Sequence, residues 1–563
     1  AEDVRTYTVG HEIFQQLLTS NQPTIEKTVM VEGKEKRVIN EVATAELREI
    51  EKKIQKRFIE FVSENEDVKE LIETTFNNKF NRFINKSYDG SHLHIEGLAK
   101  GYQLRPHQLN AVQRILEDKR ALLAHEVGTG KTSTMVSAGF KLKELGLINK
   151  PLYVVPSSLT AQFGQEILRF YPTKKVFVTS ERDFEKSRRK LFISRIASNN
   201  YDAIVIGHSQ FEKIKTSTER QEAFYQDRLY EIRSIIAQAQ NDEDRITFKQ
   251  ATRMEKRLEQ QIENLEAGKL SKTDTFIEFE QLGIDFLFVD ECHKYKNVRP
   301  ITSLGNVAGI GTTTAQKNMD MEMKIRSIQE EHDGANVVFA TGTPVSNSIS
   351  EMYIMMNYIQ PDILSDYGMD NFDAWVGAFG VIENNLEINT TGDKFIARKR
   401  FTKFTNLPEL MSLFKRTTDI QMTEDLDLPV PMEERIAVKS ELTEAQVEKL
   451  KELVKRTDKI KGSGIDPSQD NMLKITLEAR KLALDMRLLD STRYKLTDNN
   501  KIIQVVDRVE KIYKREKVNR GTQMIFSDIG TPTKAGFSVY DELKYLLVER
   551  GIPEEEIAFI HDA

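Results

Sequence analysis

The stretch ALLAHEVGTGKT, residues 121–132, decides how the rest of the chain folds. Its first half is a short apolar run that predicts a buried strand, and its second half sets Gly128 and Gly130 in a loop before Lys131 and Thr132. Glycine adopts backbone conformations that other residues avoid, so consecutive N–H groups of the loop can turn towards a polyphosphate. Lys131 would reach the phosphates and the Thr132 hydroxyl would bind Mg²⁺. The stretch therefore predicts a phosphate-binding P-loop.

This loop departs from the strict pattern G-x-x-x-x-G-K-[ST] at one position, because His125 stands where the first glycine belongs. A Gly-Thr-Gly-Lys-Thr sequence, with Thr129 between the glycines, also occurs by chance in ordinary loops. The helix predicted over residues 133–144 fits either interpretation. A second motif further along the chain is needed to distinguish a P-loop from an ordinary loop.

The segment FLFVDECHKYKN, residues 286–297, supplies that motif. Four apolar residues predict a fully buried strand, and Asp290 and Glu291 follow at its end. Beside a P-loop, an acid in the position of Asp290 can hold Mg²⁺ through its water shell, and Glu291 can orient and deprotonate an attacking water. An Asp-Glu pair alone is common in loops. Together with the P-loop it predicts a site that hydrolyses a nucleotide.

A third strand is predicted within NVVFATGTPVSN, residues 336–347, and it sets Thr341, Gly342 and Thr343 in a turn at the same edge of the sheet. Small hydroxyl side chains there could hydrogen-bond to His293 and transmit the state of the nucleotide to a distant surface. A plain strand-to-turn junction would have a similar sequence, so the coupling role is a hypothesis.

Upstream of the P-loop, the segment LRPHQLNAVQRI at 104–115 predicts a helix that Pro106 opens. The amide of Gln108 has an acceptor and two donors, so it can pair with both the N6 amino group and N7 of adenine. Arg105 is the neighbouring candidate for ATP binding. The alternative is that a glutamine at a helix start is simply exposed to solvent.

Apolar strands alternate with helices through this half of the chain. Strands are predicted at residues 152–155 and 202–211, and a helix begins near Ser157 or Ser158. This alternation is typical of a parallel sheet with helical crossovers, in which ligands bind at the carboxyl ends of the strands. The predicted fold class is α/β.

Composition restricts the class of protein. The chain has 563 residues, which suggests roughly three or four domains, and its formal net charge of −6 confines any nucleic-acid contact to a local groove. No apolar stretch reaches the roughly 18 residues of a membrane span. The single cysteine, Cys292, permits no intrachain disulfide and favours a reducing compartment such as the cytoplasm. The chain begins at Ala1 and not at methionine, which suggests a piece of a longer protein.

Two segments outside the sheet pattern predict helices. Residues 1–95 are polar and mostly helical in pattern, and their apolar stripe is expected to pack on the next domain or to form a separate binding module; the stripe comprises Leu47, Ile50, Ile54, Phe58 and Phe61. Residues 221–268 carry two apolar stripes and predict an antiparallel helical hairpin. The charged surface of this hairpin is either solvated or in contact with nucleic acid or another protein.

In this order the segments resemble the Swi/Snf-like branch of helicase superfamily two, whose members translocate on double-stranded DNA. The resemblance is carried by LRPHQLNAV, AHEVGTGKT, VDECHKYKN and ATGTPVSNSISEMYIMMNYIQPDIL and extends over residues 98–563. It implies ATP as the nucleotide, Mg²⁺ held by Thr132 and Asp290, and a DNA partner. The first P-loop glycine is commonly absent in that branch, so His125 fits it, and Cys292 replaces the more usual alanine.

The resemblance also implies a RecA-like P-loop NTPase fold, and together with the helical pattern of residues 1–95 it divides the chain into four parts. These are a mainly helical region at 1–95, a first RecA-like lobe at 96–430 with a helical insertion at about 212–280, a helical linker at 431–490 with a flexible break at 462–464, and the beginning of a second RecA-like lobe at 491–563. In the last part, strands are predicted at 523–529 and 557–562 and a helix from about Ser538. The arginine-bearing motif of the family has no match, so this second lobe is expected to be truncated and the fragment to be weak or inactive in hydrolysis.

Two further features concern the partners of the chain. A basic cluster can grip a phosphate backbone or form a solvated face; it comprises Arg398, Lys399, Arg400 and Lys403, interleaved with Phe401 and Phe404. The segment YDGSHL, residues 88–93, is similar to large polypeptides of conjugative elements and phages that join an adenine-specific DNA methylase to such a helicase. A methylase in the same polypeptide, encoded by a mobile element, is therefore a hypothesis.

Other functions stay open at this point. A strand-separating helicase acting on single-stranded DNA or RNA uses the same two lobes, and fold-level analogy alone separates it from a translocase. In a scaffold, the helical segments would recruit a partner and ATP would be a structural ligand. A P-loop kinase would need an acceptor site, and nothing in the sequence indicates one.

Overall fold

The computed structural model describes residues 26–31, 34–39, 41–81, 85–185, 187–241, 245–270, 278–298, 300–304, 307–310, 315–346, 348–388, 395–426, 428, 433–462, 469–497, 500–532 and 536–562. The chain divides into two compact units. The first comprises residues 1–386 and 397–429, and the second comprises residues 387–396 and 430–563.

The strands are β1 (Glu26–Val31), β2 (Lys34–Ile39), β3 (Arg120–His125), β4 (Pro151–Val155), β5 (Val176–Val178), β6 (Ala203–Gly207), β7 (Phe286–Asp290), β8 (Val337–Ala340), β9 (Gly380–Ile388), β10 (Phe395–Phe404) and β11 (Thr418–Gln421). The helices of the first unit are α1 (Glu41–Glu64), α2 (Glu66–Phe76), α3 (Pro106–Asp118), α4 (Lys131–Glu144), α5 (Thr160–Phe170), α6 (Arg189–Ser198), α7 (His208–Phe211), α8 (Thr218–Asn241), α9 (Arg245–Leu270), α10 (Gln316–Glu331), α11 (Ser350–Ile359), α12 (Pro361–Asp366), α13 (Phe372–Phe379) and α14 (Leu407–Lys415). The second unit contains α15 (Glu444–Gly462), α16 (Met472–Leu484), α17 (Lys501–Glu516) and α18 (Val539–Glu549).

A seven-stranded parallel sheet organises the first unit, with strand order β11-β3-β8-β7-β4-β6-β5. Its inner strands are short, mostly apolar runs with a buried core on each face, which is the usual environment of a parallel sheet, whereas the edge strand β11 is largely polar. Successive side chains of β7 enter two different cores: Leu287 and Val289 pack into one, and Phe286 and Phe288 into the other. The predicted α/β class with a parallel sheet is confirmed.

The helical hairpin predicted at residues 221–268 is present as α8 and α9. Both apolar stripes meet in one cluster, which also includes Met323 of α10. On the outer side, the Arg233 guanidinium of α8 lies 2.9 Å from both Glu255 and Glu259 of α9. The hairpin therefore packs on the sheet-covering helix α10, where Arg228 of α8 also pairs with Glu322, and carries further ion pairs on its outer side.

The amino-terminal region differs from its mainly helical prediction, because β1 and β2 form an antiparallel pair before α1 begins. The predicted apolar stripe covers residues 47–61, whereas 26–39 contains three valines and an isoleucine, which favour strands. The stripe on α1 is only partly buried among the described residues. Leu47 is buried, but Phe58 and Phe61 keep more than a third of their surface exposed.

Two predicted strands of the sheet are shorter than expected. The strand predicted at 202–211 ends at Gly207, and His208 begins α7. The strand predicted within 336–347 ends at Ala340, before the Thr-Gly-Thr turn. In both segments the apolar run stops where the strand stops, and polar residues follow.

The strands predicted at 523–529 and 557–562 are wrong. Residues 521–527 have no regular structure, and Ile560–Asp562 form a single 3₁₀ turn. A strand needs a neighbour for its N–H and C=O groups, and the described residues of 430–562 contain no strand that could pair. Helix α18 is confirmed, since the Ser538 side chain caps it by accepting from the Asp541 N–H at 3.2 Å. The flexible break predicted at 462–464 falls largely outside the described residues.

Among the helices that the structure describes, none has both the length and the apolar character that crossing a bilayer requires.

The only tryptophan of the chain, Trp375, sits in an aromatic cluster and can report on the core of the first unit. Its ring lies 6.4 Å from Phe401 and 6.1 Å from Phe404, both on β10. We expect Phe401→Ala to destabilise this unit by about 3–5 kcal/mol, because Phe401 is 1% exposed and its removal leaves a cavity. Denaturant unfolding followed by Trp375 fluorescence measures the loss. Phe526→Ala, at a side chain 86% exposed, is the control and should change the midpoint little; equal effects would contradict the assigned core.

Candidate nucleotide-binding site

Three of the predicted motifs meet at one edge of the sheet, because the strands that precede them are adjacent. Strand β8 lies between β3 and β7, and Ala340 is paired with Leu123 on one side and with Asp290 on the other. The P-loop, the Asp290–Glu291 pair and the Thr-Gly-Thr turn therefore leave the sheet side by side. This edge is the carboxyl end of the strands, where parallel α/β sheets bind ligands.

The P-loop connects β3 to α4, and its shape depends on two glycines. Gly128 and Gly130 both have φ of 87°, a left-handed conformation that side chains disfavour. A Cβ atom at Gly130 would also lie 2.0 Å from Gln108 Nε2, while a Cβ at Gly128 would meet no atom within 4 Å. Gly130 therefore allows close packing against α3, and Gly128 leaves open space beside the loop. This cradle at the start of a helix fits a polyphosphate.

Lys131 is the first residue of α4, and its ammonium group lies over the loop. Nζ donates to the carbonyl of His125 at 3.0 Å and to that of Glu126 at 3.2 Å. The Thr129 hydroxyl also donates to the Glu126 carbonyl, at 2.8 Å. The positive charge is thus held at the mouth of the P-loop, within reach of a phosphate bound there.

The start of α3 packs directly on the P-loop. Gln108 Oε1 accepts from the Arg105 N–H at 2.8 Å, and Nε2 donates to Ser133 Oγ at 2.9 Å. The side chain of Gln108 is therefore buried and bonded within the protein, and it would have to exchange some of these bonds to pair with adenine. Adenine recognition by Gln108 and Arg105 stays a prediction. His107, which the sequence analysis did not select, has Nε2 2.9 Å from the Thr129 carbonyl.

A cavity of about 240 Å³ adjoins the P-loop. Its walls combine aromatic rings with polar groups, as ligand pockets commonly do; they include Tyr102, Arg105, Gln108, Ser133 and Phe170. The ring of Tyr102 stands edge-on to that of Phe170, with centroids 4.9 Å apart. The lining of the cavity suits a flat, partly apolar group next to the P-loop.

Asp290 ends β7, and Glu291 begins the turn that follows. Burial and the negative charge of Glu291 raise the pKa of Asp290 to about 6, while a hydrogen bond from the Glu291 N–H and the charge of Lys131 act in the opposite direction. Glu291 has φ of 50° and ψ of 45°, the left-handed conformation that residues other than glycine rarely adopt. The two carboxylates thus lie at a backbone turn that costs energy to maintain.

The hydrogen bond predicted between the third strand and the acidic turn is present. His293 Nδ1 lies 3.0 Å from Thr341 Oγ1 and 2.9 Å from Glu291 Oε2. Thr341 Oγ1 also accepts from the Thr343 N–H at 3.1 Å, and Gly342 lies between these two threonines. Glu291 is therefore connected to the Thr-Gly-Thr turn through a single imidazole. Transmission of the nucleotide state through this contact stays a prediction.

A second imidazole, which the sequence analysis did not select, supports the acidic turn from behind. His208 Nε2 lies 3.0 Å from the Asp290 carbonyl, and Nδ1 lies 2.8 Å from the Tyr295 hydroxyl. Burial, together with nearby positive charges such as Lys294, lowers the pKa of His208 to about 3. The only signal in the sequence was a histidine directly after an apolar strand.

The histidine that replaces the first P-loop glycine has a structural partner. His125 Nε2 lies 2.7 Å from Asp419 Oδ1 on β11, the strand beside β3. Arg114 of α3 lies 3.6 Å from the other oxygen of Asp419. His125 thus ties the P-loop strand to its neighbour. Neither β11 nor Asp419 was predicted, because the contact joins residues almost 300 positions apart.

The predicted basic cluster lies on β10. Phe401 and Phe404 pack against Trp375 in the core, so they do not form an exposed stacking surface. Lys403 pairs with Glu383 at 3.3 Å, and the Lys399 carbonyl accepts from the Ala308 N–H at 2.9 Å. Arg398 and Arg400 lie on the same strand. A nucleic-acid role of these basic residues stays a prediction.

The residues at this edge also fit Mg²⁺. This cation prefers oxygen ligands, and Thr132 and Asp290 offer a hydroxyl and a carboxylate. Asp290 Oδ1 accepts from the Glu291 N–H at 3.0 Å, which leaves Oδ2 for a metal ion or its water shell. A pKa of about 6 keeps the carboxylate mostly ionised at neutral pH.

Several known proteins are similar to most of this chain. A family model described as a probable helicase domain matches residues 113–422, and a model of a domain of unknown function matches residues 4–82. The defense against restriction protein B of Escherichia phage P1 is 24% identical over 449 residues, which is 71% of this chain and 19% of the phage protein. The ISWI chromatin-remodeling complex ATPase ISW1 of Saccharomyces cerevisiae is 22% identical over 432 residues, 74% of this chain and 29% of the yeast protein. The chain thus spans less than a third of the length of either relative.

Among solved structures, the SWI2/SNF2 ATPase core of Sulfolobus solfataricus in complex with dsDNA aligns with a TM-score of 0.33 and 13% identity. The alignment covers 75% of this chain and 67% of that one. The assignment of the fold rests on the parallel sheet and not on this superposition.

The pKa of His208 leads to a prediction for acid stability. The folded chain keeps His208 neutral down to about pH 3, whereas the unfolded chain takes up the proton near pH 6.5. Acid therefore favours unfolding between these values, by about 2 kcal/mol at pH 5. We expect His208→Gln to remove this part of the pH dependence, as measured by denaturant unfolding at pH 5 and pH 8. His94→Gln, at an exposed histidine, is the control, and identical slopes in all three proteins would refute the prediction.

Proposed function

Because this chain belongs to the helicase family, in its Swi/Snf-like branch, we propose that it is the ATP-binding part of a DNA-dependent motor. In the complete protein this motor hydrolyses ATP to ADP and phosphate and translocates on double-stranded DNA. The observation that carries the proposal is the meeting of the P-loop, Asp290–Glu291 and Thr341 at the ends of three adjacent strands.

We also propose that the protein resides in the cytoplasm, on the basis of its single cysteine.

In this proposal the residues of the P-loop and of the acidic pair have separate tasks. The P-loop amides between Gly128 and Gly130 and the ammonium group of Lys131 bind the phosphates, while Thr132 and Asp290 hold the metal ion. When bound, Mg²⁺ neutralises part of the charge that develops on the phosphates. Glu291 orients the attacking water and takes up its proton.

The base of the nucleotide is assigned to the cavity beside the P-loop. Tyr102 and Phe170 would border its flat faces, and Arg105 and Gln108 would meet its polar edge. Gln108 already touches Ser133 and the P-loop carbonyls. Exchange of these bonds for bonds to adenine would link base recognition to the shape of the loop.

The proposal that duplex DNA is the partner rests on the family to which this chain belongs. The names of the relatives describe a chromatin-remodeling ATPase and a protein that acts against restriction. A strand-separating helicase remains the nearest alternative, and a nucleotide-binding scaffold is the alternative from another class. A DNA methylase in the same polypeptide is also a proposal, and it rests on the segment YDGSHL at residues 88–93.

The P-loop assignment predicts a loss of nucleotide affinity in Lys131→Ala. Removal of the ammonium group deletes charge-assisted hydrogen bonds to phosphate, so we expect roughly a hundredfold or greater weakening. Isothermal titration with a non-hydrolysable ATP analogue and Mg²⁺ measures the change. Lys141→Ala on the same helix is the control, because Lys141 binds Glu144 at 2.6 Å and not the loop. Undiminished affinity in Lys131→Ala would overturn the assignment.

Glu291→Gln separates binding from hydrolysis. The amide cannot accept the proton of the attacking water, so we expect unchanged ATP affinity and a loss of roughly a hundredfold to ten-thousandfold in kcat. The measurement uses a protein extended through a complete second lobe. A variant that hydrolyses ATP at the wild-type rate would exclude Glu291 as the base.

The kind of nucleic acid on which the motor acts is tested by ATP hydrolysis in the same extended protein. We compare reactions without nucleic acid and with duplex DNA, single-stranded DNA or RNA, and use Lys131→Ala as the blank. Duplex DNA is expected to stimulate most. Preference for single strands or RNA would favour a strand-separating helicase, and no hydrolysis under any condition would favour the scaffold.

A further inference from the structure

One strand-end residue at this edge has no task in the proposed mechanism. His208 follows β6, lies 3% exposed and makes two hydrogen bonds to the turn that carries both carboxylates. We propose that His208 is the positioning residue of this turn: it fixes the peptide bond between Asp290 and Glu291, and so the direction in which both carboxylates point. The inference rests on the proposed function for its effect on ATP hydrolysis.

The peptide bond between the two acids is held at both of its polar ends. On one side, His208 Nε2 donates to the Asp290 carbonyl at 3.0 Å. On the other side, the Glu291 N–H donates to Asp290 Oδ1, also at 3.0 Å. A planar peptide group with both ends bonded cannot rotate without losing a hydrogen bond. The orientation of the group therefore depends directly on His208.

The conformation of Glu291 makes such a restraint necessary. Its φ of 50° is in the left-handed region, which is unfavourable for a residue that carries a side chain. Residues persist in such conformations only where the surroundings determine them. Asparagine or glycine would adopt this backbone more readily, so the glutamate at this position needs external support.

A neutral histidine suits the surroundings of this position. The Asp290 carbonyl can only accept, so Nε2 carries the proton and Nδ1 accepts from the Tyr295 hydroxyl at 2.8 Å. Tyr295 ends the same turn, and its carbonyl accepts from the Tyr358 hydroxyl at 3.1 Å. His208 thus joins the beginning of the turn to its end through one rigid ring.

The position of His208 predicts which step its loss affects. The hydrogen bonds that the structure describes for His208 go to Asp290 and Tyr295, whereas nucleotide binding is assigned to the P-loop and the neighbouring cavity. Without His208, the peptide can turn and displace both carboxylates from the bound phosphates. Hydrolysis should therefore fall while nucleotide affinity changes little.

The experiment compares four variants in the protein extended through a complete second lobe. His208→Phe keeps a ring and loses both hydrogen bonds, and we expect kcat to fall by roughly tenfold to a hundredfold, because small displacements of reacting groups are costly. The Kd for an ATP analogue should stay within about threefold. His208→Gln, which retains a donor and an acceptor on one planar group, should recover most of the lost kcat.

Tyr295→Phe tests the other bond of His208 and does not depend on the folding of a histidine variant. It removes only the hydroxyl that donates to Nδ1, so kcat should fall in the same direction and less than in His208→Phe. Tyr153→Phe is the matched control, since its buried hydroxyl has no hydrogen-bond partner among the described residues. This control should keep the wild-type kcat.

Amide hydrogen exchange in the 563-residue chain gives a readout that is independent of ATP hydrolysis. The Glu291 amide should exchange faster in His208→Phe than in wild type, His208→Gln or Tyr153→Phe. Wild-type exchange in His208→Phe, or a His208→Phe protein with wild-type kcat, would overturn the inference. An extended wild-type protein without ATPase activity would instead refute the proposed function, and the exchange measurement would still decide whether His208 holds the turn.

Discussion

Hydrogen bonds between the parallel strands β3, β8 and β7 determine where the P-loop, the Asp290–Glu291 pair and the Thr-Gly-Thr turn lie. Because Ala340 pairs with both Leu123 and Asp290, the three loops that follow start at the same height of the sheet. A shift of one residue in either register would turn each side chain to the opposite face of the sheet. The apolar cores on both faces prevent such a shift. The packing that stabilises the sheet therefore also fixes the geometry of the site.

Side chains hold the loops at this edge in addition to a few backbone hydrogen bonds to neighbouring strands, such as the one from the Glu126 N–H to the Gln421 carbonyl. Lys131 and Thr129 bond to P-loop carbonyls, Gln108 and His107 approach the same loop from α3, and His208 bonds to the Asp290 carbonyl. Buried polar groups stabilise a fold only when they are paired. Pairing here leaves the loops with few alternative shapes, which is the preorganisation that catalysis requires.

The departures of the structure from the sequence predictions have physical causes. Apolar residues at 523–529 predict a strand, but a strand forms only beside a partner, and the described residues of 430–562 contain none. The basic and aromatic residues at 398–404 predict a grip on a phosphate backbone or a solvated face. In the structure Phe401 is buried beside Trp375, whereas Lys403 is exposed and pairs with Glu383.

The sequence by itself determined the α/β class, the P-loop, the acidic pair at the end of β7 and the helical hairpin, because each depends on a local pattern of apolar, glycine or charged residues. Tertiary structure alone decided the partners of these residues. His125 meets Asp419, and His208 meets both Asp290 and Tyr295, across separations of 82 to 294 residues. No local pattern encodes such pairs, because they depend on which strands lie side by side in the sheet and not on the order of the strands along the chain.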